Sequence, residues 1–267
     1  ADDCLLYCSV HSMDDQALLD RSLKAVSLWC DEWGMMLNYN KSVLLRVTNK
    51  RQPIPFNYTI GNTTVAQVSE YKYLGVTFTS DLKWSKHISL TCSAAMRKLG
   101  YLKRKLRQAP SEVKMLSFSS LIRSKLEYAS IVWDPHTKSD IAKLEMVQRK
   151  AVRFIFGKYS RRDSPSILMS NANIPTLLKR RKIARLKYLF QIFKGNIRLD
   201  SGSFLLPLQA RSSRHHHPYS FKPLFARTNI FKNSFFVKTI PEWNSLSFDV
   251  ANCTINQFED AVSVLCD

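Results

Sequence analysis

The sequence predicts an α+β fold, with short strands and one helix first and a mostly helical remainder after them. Three observations carry this. Short apolar runs around Leu5, Leu44 and Tyr73 are bounded by turn-forming residues and are too brief for helices. From Ser85 onward, apolar residues recur three and four apart, which is the helical period. A hydrophobic content of 45% over 267 residues is enough for a packed core and excludes a disordered tail.

The chain opens on Ala1-Asp2-Asp3 ahead of Cys4-Leu5-Leu6-Tyr7-Cys8, which reads as a buried strand. Adjacent carboxylates repel, and a hard cation such as Mg²⁺ relieves that repulsion. An acidic turn at a strand edge is the plainer reading of the pair taken alone. Asp14-Asp15 reads as the cap of a helix running to about Trp33, with Leu19, Leu23, Val26, Cys30 and Trp33 as its buried stripe and Gly34 at its end. A turn through Asn38 and Lys41 leads into a strand at Val43–Val47. Pro53 to Gly61 reads as an exposed loop or hairpin. Glu70 to Phe78 is rich in β-formers with Gly75 at its centre, so it reads either as a core strand or as a nucleic-acid contact.

A first long helix follows, with Ile88, Cys92, Ala95, Leu99, Leu102 and Leu106 turned inward. Its end carries Arg97, Lys98, Lys103, Arg104, Lys105 and Arg107. Ser111 is the expected cap of a second helix, which buries Met115, Phe118, Ile122 and Leu126 and ends at Asp134-Pro135. Ser139-Asp140 is the expected start of a third, with Ile141, Leu144, Val147, Ala151 and Phe154 inward, completing a small bundle. Pro175 opens a fourth, in which Ile183, Leu186, Phe190 and Phe193 face in. That helix also bears Lys179, Arg180, Arg181, Lys182, Arg185 and Lys187. Residues 195–225, rich in Ser, Pro and His, read as a linker in which His215-His216-His217 is a solvated run. An aromatic cluster (Phe231, Phe235, Phe236, Trp243) and a last helix from Asn256 complete the chain.

Charge narrows the function. The net charge is +19, unevenly spread. Residues 1–40 hold 7 acids and 2 bases, whereas residues 41–163 hold 24 bases and 8 acids. An acidic start beside a basic majority suits a nucleic-acid enzyme with a metal site. A basic helix face is by default only solvated, but recurrence on several helices favours contact with a phosphate backbone. Six cysteines without C-x-x-C spacing point to reduced thiols in an intracellular protein, and no signal peptide or membrane-spanning run is visible.

The order of landmarks carries a resemblance: Ala-Asp-Asp before an apolar strand, a helix ending Trp29-Cys30-x-x-Trp33, then Leu37-Asn38-x-x-Lys41-Ser42, then Tyr71-Lys72-Tyr73-Leu74-Gly75-Val76, then a basic helical bundle. Over nearly its whole length the sequence resembles the reverse transcriptases of non-LTR (LINE-like) retrotransposons, from the catalytic Asp-Asp motif onward. The resemblance implies that residues 1–80 are the end of a palm sheet, 81–165 a helical thumb, and 166–267 a basic C-terminal region. It implies that Asp2 and Asp3 hold Mg²⁺ in a two-metal site left incomplete here, and that Lys41 assists at the leaving pyrophosphate. Tyr73, Leu74, Gly75 and Val76 would be the primer-grip hairpin. The bases of the two helices, with Lys179, Arg180, Arg181 and Lys182 from the fourth, would grip nucleic acid. Residues 233–244 resemble the family's C-terminal signature. The implied partners are an RNA template, a DNA primer, dNTPs and the N-terminal part of the same polyprotein, within a ribonucleoprotein of nucleus or cytoplasm. The expectation is a fragment inactive in isolation. Two other readings stand beside it: a non-catalytic nucleic-acid-binding module or transposon relic, and a helical protein-interaction scaffold.

Overall fold

The structure is a computed structural model that describes residues 3–208, 218–246 and 253–265. It combines many helices with small sheets, compatible with an α+β class. Two compact units divide the chain, residues 1–87 and 88–267. Ala1, Asp2, the histidine run and Cys266 lie outside the described residues.

In the first unit, residues 3–10 form no strand, and Leu5 and Tyr7 are exposed. The expected buried strand is thus corrected. A strand exists only by pairing its backbone groups with a neighbour, and among the described residues none lies alongside. Helix α1, Met13–Glu32, is capped by Ser12 rather than by the aspartates. The Ser12 hydroxyl accepts from the Asp15 N–H while the Asp15 carboxylate accepts from the Ser12 N–H at 2.9 Å, a reciprocal capping box. Only Cys30 of the predicted stripe is fully buried, and Trp33 is exposed. Gly34, at φ 66°, closes the helix in the left-handed conformation a glycine adopts without strain.

Strand β1, Val43–Leu45, runs parallel to β4, Ala66–Val68. Between them β2, Thr59–Ile60, and β3, Thr63–Thr64, make a hairpin. The stretch 53–61, expected as an exposed loop or hairpin, thus runs into the β2–β3 hairpin and is partly internal, with Tyr58 and Ile60 buried. Strands β5, Glu70–Tyr73, and β6, Val76–Thr79, pair antiparallel with Tyr73 opposite Val76. This replaces the single strand with a two-residue hairpin.

The second unit is helical. Helix α2, Ser85–Lys105, buries Ile88, Cys92, Ala95, Leu99 and Leu102 as its period requires. Helix α3, Ser111–Phe118, starts after Pro110; Ser111 bonds the neighbouring Glu112 carboxylate and does not cap. A wide π turn at Ser119–Arg123 joins α3 to α4, Ser124–Glu127. The helix stops there and not at Asp134, because Ala129 sits at φ 52° before the short α5, Ser130–Trp133. Thr137, not Ser139, caps α6, Lys138–Phe156. A short α7, Pro165–Asn171, precedes α8, Leu177–Phe193, capped by Thr176.

The described part of the stretch read as a linker, 195–208 and 218–225, packs instead. Phe204 stacks on Phe236 at 4.6 Å, and Pro207 bridges to a buried Phe221. Helices α9, Asn229–Lys232, α10, Phe235–Asn244, and α11, Ile255–Leu265, complete the unit. Its aromatic core joins Phe190 of α8, Trp243 of α10 and Phe258 of α11, with Phe190 and Phe258 stacked at 4.2 Å. Each such ring, fully buried, contributes about 1.5–3 kcal/mol.

Candidate nucleic-acid interface

In the first unit the Asn38 to Lys41 motif is a 3₁₀ turn, Tyr39–Lys41, with Asn38 as its cap. The Asn38 side-chain carbonyl accepts from the Lys41 N–H at 3.2 Å, which fixes the turn and leaves the Lys41 side chain exposed. The Tyr71 hydroxyl of β5 donates to the Lys41 carbonyl at 3.4 Å. The capped turn and the β5–β6 hairpin are thus tied together.

The hairpin turn itself is Leu74-Gly75, at φ 43° and 83°. Both positions are left-handed, which suits the right-handed twist of the paired strands. For Gly75 that is free; for Leu74 the Cβ meets the following carbonyl, at a cost of about 1–2 kcal/mol. Leu74 is half-exposed at the hairpin tip, so burial of its side chain does little to offset that strain. Below the turn, the buried His87 accepts the Thr77 N–H on Nδ1 at 3.1 Å.

Asp3 is exposed on its irregular segment, and Asp2 lies outside the described residues. Among the described residues no group of three or more His, Cys, Asp or Glu side chains could hold a metal ion. Asp3 therefore does not fit a magnesium site by itself.

In the second unit the bases separate into two populations. On α2, Arg97, Lys98, Arg104 and Lys105 are exposed, opposite the buried stripe, and the exposed Tyr101 lies between them. Lys103 is half-buried and Arg107 is exposed. This is an outward basic face with an aromatic set in it, a pattern suited to a phosphate backbone. Tyr101 was missed in the sequence; its spacing from Arg97 and Arg104, four and three residues, was the available signal.

On α8 the fold withdraws one of the four bases, Arg181, from the surface and pairs a second, Arg180. Arg181 is 1% exposed, and its Nε donates to Asp134 at 2.8 Å. Arg180 forks onto Glu127, with Nη2 to Oε2 at 3.0 Å. That hydrogen bond raises the Arg180 pKa above its usual value despite partial burial. Arg181 is thereby removed from any surface contact, and Arg180 is neutralised within the fold. Lys179 and Lys182 remain half-exposed.

The buried cluster extends further. Arg185 pairs with Asp134 and forks onto both oxygens of Glu242, at 2.8 and 2.7 Å. Lys238 also reaches Asp134. Two residues of the 233–244 signature, Lys238 and Glu242, thus lock α10 to α8 and to Asp134. Asn244 adds a reciprocal pair with the Phe221 backbone, at 2.9 and 2.7 Å. Trp243 fills the core and donates Nε1–H to the Tyr219 carbonyl at 2.9 Å. These contacts make the stretch 233–244 a structural clasp.

Comparison with known proteins places the chain. It is 24% identical over 160 residues to a probable RNA-directed DNA polymerase from transposon BS of Drosophila melanogaster, covering 58% of this chain and 18% of that protein. It is 28% identical over 153 residues to the RNA-directed DNA polymerase from mobile element jockey of Drosophila funebris, covering 56% and 16%. A probable RNA-directed DNA polymerase from transposon X-element of Drosophila melanogaster is 27% identical over 161 residues, covering 59% and 18%. The matched segment thus spans less than a fifth of each of these relatives. No family profile and no solved structure matches the chain. By sequence more than half of the chain is similar to RNA-directed DNA polymerases of transposons and mobile elements.

Proposed function

We propose that this chain is a working part of an RNA-directed DNA polymerase that extends a DNA primer on an RNA template. The observation that carries the proposal is the similarity of more than half of the chain to three such polymerases. In this reading residues 1–80 close the palm, 81–165 form the thumb, and 166–267 brace it. The strained Leu74-Gly75 hairpin presents its backbone and the Tyr73 and Val76 strand ends to the primer. The capped turn tied to that hairpin keeps the Lys41 ammonium in reach of a phosphate, where a fixed positive charge stabilises charge developing on the leaving group. The α2 bases neutralise phosphates along the duplex. Asp2 and Asp3 contribute to a magnesium site that needs further carboxylates from the rest of the polymerase.

The test is Mg²⁺-dependent primer extension on an RNA template by the chain within its full-length polyprotein, with and without Asp2→Ala. The expected result is synthesis abolished by the substitution, with RNA affinity unchanged, and no nucleotide addition by residues 1–267 alone. Equal loss of synthesis and affinity would contradict the assigned role. No synthesis from the intact polyprotein, with tight salt-sensitive RNA binding, would replace the polymerase reading with a non-catalytic binding module. The exposed basic face of α2 is the observation that favours this second reading.

A further inference from the structure

The C-terminal ends of α2 and α6 border a cleft of about 250 Å³, lined by Lys103, Arg107, Lys114, Phe154, Gly157 and Tyr159. The Lys103 ammonium lies 5.6 Å from the centre of the Tyr159 ring, and that of Lys114 lies 5.5 Å from the Phe154 ring. Phe154 is buried at 4% exposure, so it anchors the floor. Tyr159 is 58% exposed, so its ring is open to a ligand.

The loop that carries Tyr159 is built to present it. Gly157 ends α6 at φ 65°, turning the chain off the helix axis. Arg153 donates from Nη1 to the Ser160 carbonyl at 3.0 Å, and the Asp163 carboxylate accepts from the Ser160 N–H at 3.1 Å. Arg153 Nη1 also donates to the Lys158 carbonyl at 3.4 Å, so the loop is pinned on both sides of the ring.

Helix C-termini attract cations, and that alone accounts for one or two bases at this end. It does not account for the whole set. Among the described residues, none of the ion pairs involves Lys103, Arg107 or Lys114. Three cations without carboxylates around an open aromatic ring ask for an anion that carries its own flat π face. A nucleotide has both. The cleft is smaller than ordinary small-molecule pockets of about 300–1,000 Å³, so it suits a single ring. In a duplex the bases are stacked and hidden, whereas a single strand offers them.

We infer that this cleft is a binding site for single-stranded nucleic acid, in which one base stacks on Tyr159 and the flanking phosphates lie against Lys103, Arg107 and Lys114. The site deepens the nucleic-acid reading above and rests on it, adding a strand preference that the outward face of α2 does not supply. It gives the chain a hold on unpaired template or primer, separate from its grip on the duplex.

The test is fluorescence anisotropy with the full chain, using a labelled oligouridylate, an oligodeoxyuridylate of the same length and a mixed-sequence duplex. Tyr159→Ala is expected to weaken binding of the single strands by about 5- to 150-fold, the alanine effect of one stacked base, while duplex binding holds. Tyr159→Phe should restore it. Arg107→Gln should reduce the log-log salt slope for single strands by about 0.7, one phosphate contact. Similar losses for the ribo- and deoxyribo-oligomer mean that the site reads base and phosphate; a loss for one alone means that it also reads the sugar. Unchanged single-strand affinity in Tyr159→Ala, or an equal loss on the duplex, would overturn the site. If the unmodified chain binds none of the three probes even at low salt, the broader nucleic-acid reading falls as well, so the two failures are distinguishable.

Discussion

Replacing Asp134 with asparagine tests the buried ion cluster that joins α8 to α10. Asp134 accepts from Arg181, Arg185 and Lys238, and the side chains of Asp134, Arg181 and Arg185 are 3% exposed or less. Asparagine keeps the volume and one carbonyl acceptor, so the change isolates the charge. Arg185 would keep Glu242, while Arg181 and Lys238 would lose the carboxylate they pair with. Leaving buried charge uncompensated costs about 3–5 kcal/mol. The exposed pair Lys187–Glu259 provides the internal control, with side chains 34% and 48% exposed. Breaking it by Glu259→Gln should cost at most about 1 kcal/mol. Urea unfolding followed by tryptophan fluorescence reads both, because Trp133 and Trp243 are fully buried in this unit. At a slope of about 2–3 kcal/mol per molar, Asp134→Asn should lower the midpoint by roughly 1–2.5 M. A shift no larger than that of Glu259→Gln would show that the cluster is not an electrostatic clasp, and the role given to Lys238 and Glu242 would fall with it.

Two further outcomes are expected. Burial raises the Glu145 pKa above its ordinary 4.5, although its carboxylate accepts the Leu178 N–H at 2.9 Å. A raised carboxyl binds its proton more tightly folded than unfolded, so its stability contribution declines as pH rises from about 4.5 through the folded pKa. Glu145→Gln, which keeps an acceptor for Leu178, should therefore raise stability at pH 7 relative to the native chain. That difference should shrink at pH 4; thermal melts at the two pH values check it, and a larger benefit at acid pH would refute the cause. At the hairpin tip, Gly75→Ala should cost about 1–2 kcal/mol of local stability because φ is 83° there, whereas Leu74→Asn should relieve strain. Amide exchange at β5 and β6 separates them, and equal protection in both variants would remove the argument that Leu74 is held at a cost.

The helices of the second unit were legible because their signal is local. Ile88 through Leu102 recur at the helical period, and that stripe is what the fold buries. Residues 4–8 show the limit: the same short apolar pattern is compatible with a strand only if another strand lies alongside, and no pattern within the run reports on that. The hairpin at 70–79 was legible only through resemblance, since Leu74-Gly75 is not the Asn-Gly that marks such turns. The bases of α8 show the most consequential limit. Read along the chain, Lys179 to Lys187 is one charged run facing a partner. The carboxylates that neutralise Arg180, Arg181 and Arg185 come from Glu127, Asp134 and Glu242, about fifty residues away in either direction. One local clue existed. Leu177, Arg181, Arg185 and Leu189 repeat every four residues, and both leucines are fully buried, so the arginines between them share an inward stripe. An arginine on such a stripe requires an acid from elsewhere, which turns apparent surface charge into internal structure. Removing Arg180 and Arg181 from the interface moves its centre onto α2. In the proposed reading the exposed bases of α2 around Tyr101 would meet a polyanion, and the cleft beside Tyr159 would be a separate contact.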